Sequence, residues 1–208
     1  MIDDELITES LSAEDSDILG EVGNITMGTA ATALSAIVQQ KTDIDTPTVR
    51  TFVWPDLQSI HTGNAVGVRI KYEEGLTGSN ILILKERDVK IITDLMMGGV
   101  GTVIEPVELT EMDMSAISEA MNQMVGATAT SLSSMLKKEV NISPPTTFSF
   151  NFSTKETDGQ LGFSTDHQLV TIRFRLVVGD LLESEVMQIF RLDDGQELVN
   201  TLKQSMLG

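Results

Sequence analysis

From residue 13 onward, apolar residues recur at the three- and four-residue spacing of a helix face. Leu19, Val22, Ala30, Ala33 and Ile37 fall on one side, and the pattern predicts a helix over 13–39. A second helix is predicted over 111–138. Each is preceded by the same signal, Leu11-Ser12 with Asp15 three residues beyond the serine, and Leu109-Thr110 with Asp113. A hydroxyl followed at that distance by an acid resembles a capping box, with aspartate in place of the longer glutamate. Beyond each helix, Pro47 or Pro145 is expected to open an extended segment, near 48–53 and 146–152. Further strands are predicted at "AVGVRIKY" (65–72) and "NILILK" (80–85), then at "QLVTIRFRLVV" (168–178) and "EVMQIFRL" (185–192). Short helices close the series at about 86–97, stopped by Gly98-Gly99, and at about 194–206.

The chain therefore reads as one unit written twice. Shifting it by 98 positions lays residues 11–47 on 109–145 without a gap. The identities are Leu11/Leu109, Asp15/Asp113, Glu21/Glu119, Asn24/Asn122, Gly28/Gly126, Ala31/Ala129, Thr32/Thr130, Leu34/Leu132, Ser35/Ser133, Ile44/Ile142 and Pro47/Pro145. Two units of helix plus three strands predict an α+β fold with pseudo-twofold symmetry. Connections this short favour antiparallel pairing. A single domain over 1–208 is expected, built from repeats at about 11–100 and 109–208, because neither repeat offers a generous core alone.

The repeat also shows which face was kept. At about 100° per residue, Glu21, Asn24, Gly28, Ala31, Thr32 and Ser35 lie within about 60° of Asp17, opposite the apolar stripe. The stripe itself varies between repeats, with Val22 against Ala120 and Ile25 against Gln123. Core packing tolerates swaps of similar volume, so it does not account for a fixed acid, a fixed amide and a flat small-residue strip. Such a strip lets a macromolecule approach closely while the two polar side chains project into it. The competing reading is a solvated face with small residues for helix packing. Recurrence of the same spacing favours the first.

Composition narrows the partners. With 31 acidic and 14 basic residues the chain carries −17 and a pI near 4.3, which disfavours nucleic acid and anionic lipid. There is no cysteine, hence no disulfide, thiolate metal site or cysteine nucleophile. The start "MIDDELITES" lacks the basic and apolar regions of a secretory signal, and no stretch reaches 18 consecutive apolar residues. A cytoplasmic location is expected. His61 and His167 stand outside the repeated motif, so no metal site is expected. The eleven methionines read mainly as adaptable core filler.

The two constellations are Asp17-x3-Glu21-x2-Asn24-x22-Pro47 and Ser115-x3-Glu119-x2-Asn122-x22-Pro145. They resemble the active-site signature of the CheC, CheX and FliY phosphatases of bacterial chemotaxis, most closely that of the middle, CheC-like domain of the FliY members. The resemblance covers nearly the whole chain. It implies hydrolysis of the aspartyl phosphate on the response regulator CheY, with Glu21, Asn24, Glu119 and Asn122 catalytic. In such a scheme Asn24 or Asn122, having no useful proton affinity, orients a water, while Glu21 or Glu119 meets the regulator's phosphate-site lysine. Asp17, Ser115, Pro47 and Pro145 are supporting. The chain needs no cofactor, since magnesium would come with the regulator. The resemblance further implies a place in the flagellar motor switch at the basal body, with FliM, FliN and FliG as partners. Two features depart from the family pattern. The segment "MIDDELITESLSAED" does not look like the peptide by which relatives tether phosphorylated CheY, and these 208 residues include no FliN-like domain. The alternative is a non-catalytic switch scaffold like the FliM middle domain, whose fold is shared but whose Glu/Asn pairs are missing.

Overall fold

In the computed structural model, residues 10–154, 157–164 and 166–207 are described. The opening segment 1–9, on which the tethering comparison partly rests, lies outside them. The helix α1 runs Ala13–Val38 and begins where Ser12 Oγ accepts from Asp15 N at 3.0 Å. Its counterpart α4, Glu111–Leu136, has a full capping box between Thr110 and Asp113. Both end on a non-glycine residue in the left-handed region, Gln39 and Lys137, so the turn out of each helix is repeated too.

The first repeat continues through β1 (Thr42–Val53), α2 (Trp54–Ile60), β2 (Asn64–Glu74), β3 (Ser79–Lys85) and α3 (Glu86–Met96). After α4 the second continues through β4 (Asn141–Ile142), β5 (Thr146–Asn151), α5 (Thr157–Leu161), β6 (Gln168–Val178), β7 (Leu182–Arg191) and α6 (Leu192–Leu207). The predicted helices and strands are all present, with two corrections. Strand β1 starts at Thr42, not near 48, and Pro47 lies inside it. Ladder pairing with β6 breaks between Asp45 and Thr48, and Thr46 takes a φ of 56°. A proline has no N–H for the ladder, so an edge-strand bulge is where a sheet accommodates it. Pro145 does stand immediately before its strand, β5.

One antiparallel sheet spans both repeats in the order β1-β6-β7-β3-β2-β4, with β5 also on β2. The first strand of each repeat thus pairs with the second strand of the other. Where β3 meets β7, Leu82 pairs with Gln188. Aligning "NILILK" with "VMQIFR" makes these two equivalent positions, so the pseudo-twofold axis passes through that pair. Beside it, Gln188 donates to Asn80 at 2.9 Å and Asn80 donates to the Tyr72 hydroxyl at 3.3 Å, which satisfies three buried polar groups. Burial pushes the Tyr72 phenol up to about 12, against the Asn80 hydrogen bond.

The sheet is covered on both faces. On one, α1, α4, α3 and α6 close a core that includes Leu19, Met27, Leu34, Ile117, Met121, Ile172 and Phe174. On the other, α2 and α5 cover a smaller aromatic core of Trp54, Phe150, Phe152, Leu161 and Phe163. Strand β3 feeds both, with Ile81 and Ile83 on the outer side and Leu82 and Leu84 on the helix side. The helix-side stripe differs from the expected one. Ala33 and Ile37 sit half-buried at the rim, and Met27, Ala31, Leu34 and Val38 complete the buried face.

The capping acids do more than start helices. Asp113 lies buried on α4 and accepts from Lys90 Nζ at 2.7 Å and Thr93 Oγ1 at 2.8 Å, both on α3 of the other repeat. Asp15 on α1 is bound by Lys203 Nζ at 2.7 Å and by Gln196 at 3.3 Å, both on α6. The Lys203 ammonium, working against burial, holds the Asp15 carboxyl below its ordinary value. Each long helix is therefore tied to the closing helix of the opposite repeat.

Candidate functional site

On α1, Asp17, Glu21 and Asn24 are exposed on consecutive turns. Beside them the bulge in β1 brings Pro47 and Val49 against the helix. Gly20 faces this strand, and a Cβ there would make ordinary contact with Val49 Cγ2 at 3.6 Å. The result is an open groove of about 490 Å³ lined by Ser16, Asp17, Gly20, Glu21, Asn24, Pro47 and Val49. All four members of the first constellation share that groove. Among the described residues the side chains of Glu21 and Asn24 make no hydrogen bond, so both are available to a partner.

The second groove is similar in size, about 480 Å³, but is displaced along its helix. Asn122, Gly126, Thr130 and Pro145 line it, together with Glu139 and Pro144, whereas Ser115 and Glu119 lie outside it. The helix–strand contact has changed here. In place of Gly20 against Val49 stands Ser118, hydrogen-bonded to Thr147. Glu119 is exposed, and its Oε1 accepts from Gln123 Nε2 at 2.9 Å, a bond that Ile25 cannot offer to Glu21. The two sites repeat the same acid and amide with different readiness.

Not every repeated residue belongs to this face. Ala31, expected on the exposed strip, is buried in the core. Ser35 and Ser133 are half-buried and structural. Ser35 Oγ accepts from Thr42 N at 2.9 Å and Ser133 Oγ accepts from Val140 N at 3.0 Å, each holding the turn that follows its helix. Thr32 and Thr130 are exposed and return their hydroxyls to Gly28 O and Gly126 O at 3.1 Å. Gly28 and Gly126 remain unexplained by packing, because a Cβ on either would meet nothing described within 4 Å. The histidines serve elsewhere. His61 contacts Arg173, and His167 Nδ1 accepts from Ser164 N at 3.0 Å within a turn. Two methionines, Met97 and Met112, are exposed rather than core filler.

Comparison with known proteins places these residues in context. The CheC-like family profile matches residues 14–50 and 112–149, the two stretches that carry the constellations. The flagellar motor switch phosphatase FliY of Bacillus subtilis (strain 168) is 39% identical over 197 residues, covering 95% of this chain and 51% of that protein. The chain thus spans about half the length of that curated relative. The CheY-P phosphatase CheC of the same organism is 28% identical over 142 residues, covering 67% of this chain and 68% of that protein. The crystal structure of Thermotoga maritima FliY superposes with a TM-score of 0.85 at 38% identity, covering 95% of this chain and all of that one. The FliM middle domain from H. pylori has a TM-score of 0.70 at 10% identity, a likeness of fold alone.

Proposed function

Since the chain belongs to the CheC-like family that includes FliY and CheC, we propose that it hydrolyses the aspartyl phosphate of phosphorylated CheY. The observation that carries this is the exposure of a Glu/Asn pair on each long helix, Glu21 being free, Glu119 bonded only to Gln123 of its own helix, and Asn24 and Asn122 each lining a groove of their own. The names of two relatives, a flagellar motor switch phosphatase and a CheY-P phosphatase, support the substrate.

In this mechanism the regulator brings the magnesium ion and the phosphoryl group. Glu21 or Glu119 docks on a lysine beside the phosphorylated aspartate. That contact brings Asn24 or Asn122 over the phosphorus, where its carbonyl accepts from a water and its amide donates to the same site. The water attacks in line, the bond from phosphorus to the aspartyl oxygen breaks, and phosphate leaves as the carboxylate is restored. The amide supplies position rather than basicity. Removing both acids, Glu21→Ala with Glu119→Ala, should raise the CheY concentration needed for half-maximal phosphate release and also lower turnover. An unchanged concentration dependence would remove the docking role.

Gly28 and Gly126 fit the same mechanism. Glycine inside a helix costs about 0.5–1 kcal/mol relative to alanine, and no described neighbour requires it here. A partner's backbone lying against the helix one turn beyond the asparagine does require it. Gly28→Ala with Gly126→Ala should therefore raise the melting temperature and lower phosphate release from phosphorylated CheY. A variant that is more stable and equally active would show that no partner uses this space.

We infer a second role in the flagellar switch from the B. subtilis FliY name, with FliM, FliN and FliG as the proposed contacts. Pull-downs with the Asn24→Ala, Asn122→Ala variant should still recover switch proteins. Recovery of CheY alone would favour a CheC-like protein acting away from the motor. A purely non-catalytic scaffold is disfavoured because it has no use for two exposed Glu/Asn pairs.

A further inference from the structure

We propose that a pocket on the outer face of the sheet, between β1 and β6, binds a small multiply charged oxyanion of the phosphate class through Arg50, Arg173 and Thr48. The pocket is about 400 Å³ and is lined by three of the chain's 14 basic residues, Arg50, Arg173 and Arg175, against one acid, Glu185. Arg175 is flanked across the ladders by Asp45 and Glu185, whereas Arg50 and Arg173 are diagonal neighbours across the β1–β6 ladder, where like charges repel.

Internal partners neutralise only part of this charge. Arg175 Nε is bonded to Glu183 Oε1 at 3.0 Å. Arg50 has no ion pair or side-chain hydrogen bond among the described residues, and neither does the Thr48 hydroxyl. Arg173 is held but unsatisfied. Its Nη2 donates to His61 Nε2 at 3.0 Å, and its guanidinium lies 6.0 Å from the Phe52 ring centroid. Burial and the neighbouring Arg173 keep His61 below its ordinary pKa, so the ring accepts rather than repels. The remaining Arg173 Nε is buried with no hydrogen-bond partner, and Glu185 Oε1 approaches only to 3.8 Å. The charge of Arg173 is thus only partly compensated, and the exposed edge of the guanidinium is left to pair with an oxyanion. Thr48 is the direct cross-strand neighbour of Arg173, so its hydroxyl lies on the same face of the ladder.

The other repeat supplies the contrast. The position equivalent to Arg50 is Phe148, and the strand equivalent of Arg173 is Arg69. Arg69 lies 5.8 Å from the Phe148 ring centroid and donates to Gln160 O. There the arginine is satisfied and an aromatic ring stands where the second charge would be. The duplicated fold offers this place twice and keeps it open and basic once.

The test titrates the whole chain with inorganic phosphate, and separately with adenosine triphosphate, at constant ionic strength while backbone amide shifts are followed. Saturable shifts at residues 46–50 and 173–175 are expected below roughly 50 mM phosphate, as suits two arginine forks facing solvent. Saturation by phosphate points to the free ion, and saturation by the nucleotide alone to its phosphate tail. Arg50→Ala is exposed and should fold normally, yet weaken binding at least about tenfold. Lys41→Ala, which removes an exposed cation paired with Asp43, should leave binding unchanged. Shifts that follow salt without saturating, that map to the helix grooves, or that survive Arg50→Ala would overturn the proposal.

Discussion

Phosphate release from phosphorylated CheY should fall to the regulator's own rate when Asn24→Ala and Asn122→Ala are combined. Each asparagine lines a separate groove, so either single variant should retain part of the activity. Folding should change by no more than about 0.5 kcal/mol, because both side chains are exposed and Asn24 bonds to nothing described. The singles should also differ slightly. Glu119 has to exchange its bond to Gln123 before docking, whereas Glu21 is free, and such a helical pair is worth about 0.2–0.5 kcal/mol. From this cause the first site should exceed the second by roughly twofold at most. Gln123→Ala should remove that difference. Full activity in a well-folded double variant would end the water-positioning mechanism.

The sequence made the helix-side half of this molecule legible because duplication supplied an internal control. Caps and long helices recur at one offset, and so do the acid and the amide, while the core strands repeat in order at slightly larger offsets. Recurrence alone could not separate chemistry from construction. Asp15/Asp113 and Ser35/Ser133 are as well repeated as the Glu/Asn pairs, yet the structure uses them to tie helices and turns. Their partners are distant along the chain, and periodicity carries no information about them. The same limit hid the exchange of first strands between repeats, since a period of two fixes a face and not a neighbour. Helix α2 was missed for another reason. "WPDLQSI" is too short to show a helical period, and its Trp54 is fully buried through contacts with Phe152 and Phe163 from the other repeat. The bulge at Pro47 also required the ladder to be seen. It places the proline beside the Glu21/Asn24 face instead of at the head of the strand.

Asp113→Ala should destabilise the fold by about 3 kcal/mol while leaving the proposed chemistry in place. The carboxylate accepts from Thr110 N, Thr110 Oγ1, Thr93 Oγ1 and Lys90 Nζ, all within 2.8 Å. The substitution removes a helix cap and leaves buried donors unpaired, and each such loss costs about 1–2 kcal/mol. Lys90 retains some access to water, which limits the total. For a chain of this size the melting temperature should drop by roughly 6–12 °C. The contribution is also pH-dependent with a definite sign. Burial alone would raise this carboxyl, but the hydrogen bonds from Lys90, Thr110 and Thr93 outweigh it and pull the pKa from 3.8 down to about 2. A depressed folded-state pKa stabilises above the unfolded value and ceases to do so as pH falls through the folded one. The stability gap between the parent chain and Asp113→Asn should therefore be full above about pH 4 and shrink by roughly 2 kcal/mol toward pH 2. Denaturant melts of both proteins across that range measure it. A gap that stays constant, or no gap at all, would mean that the tie between α4 and α3 does not depend on this charge. Phosphate release per folded molecule, taken well below the melt, should be unchanged in either variant, which separates the capping acid from the acid proposed to dock.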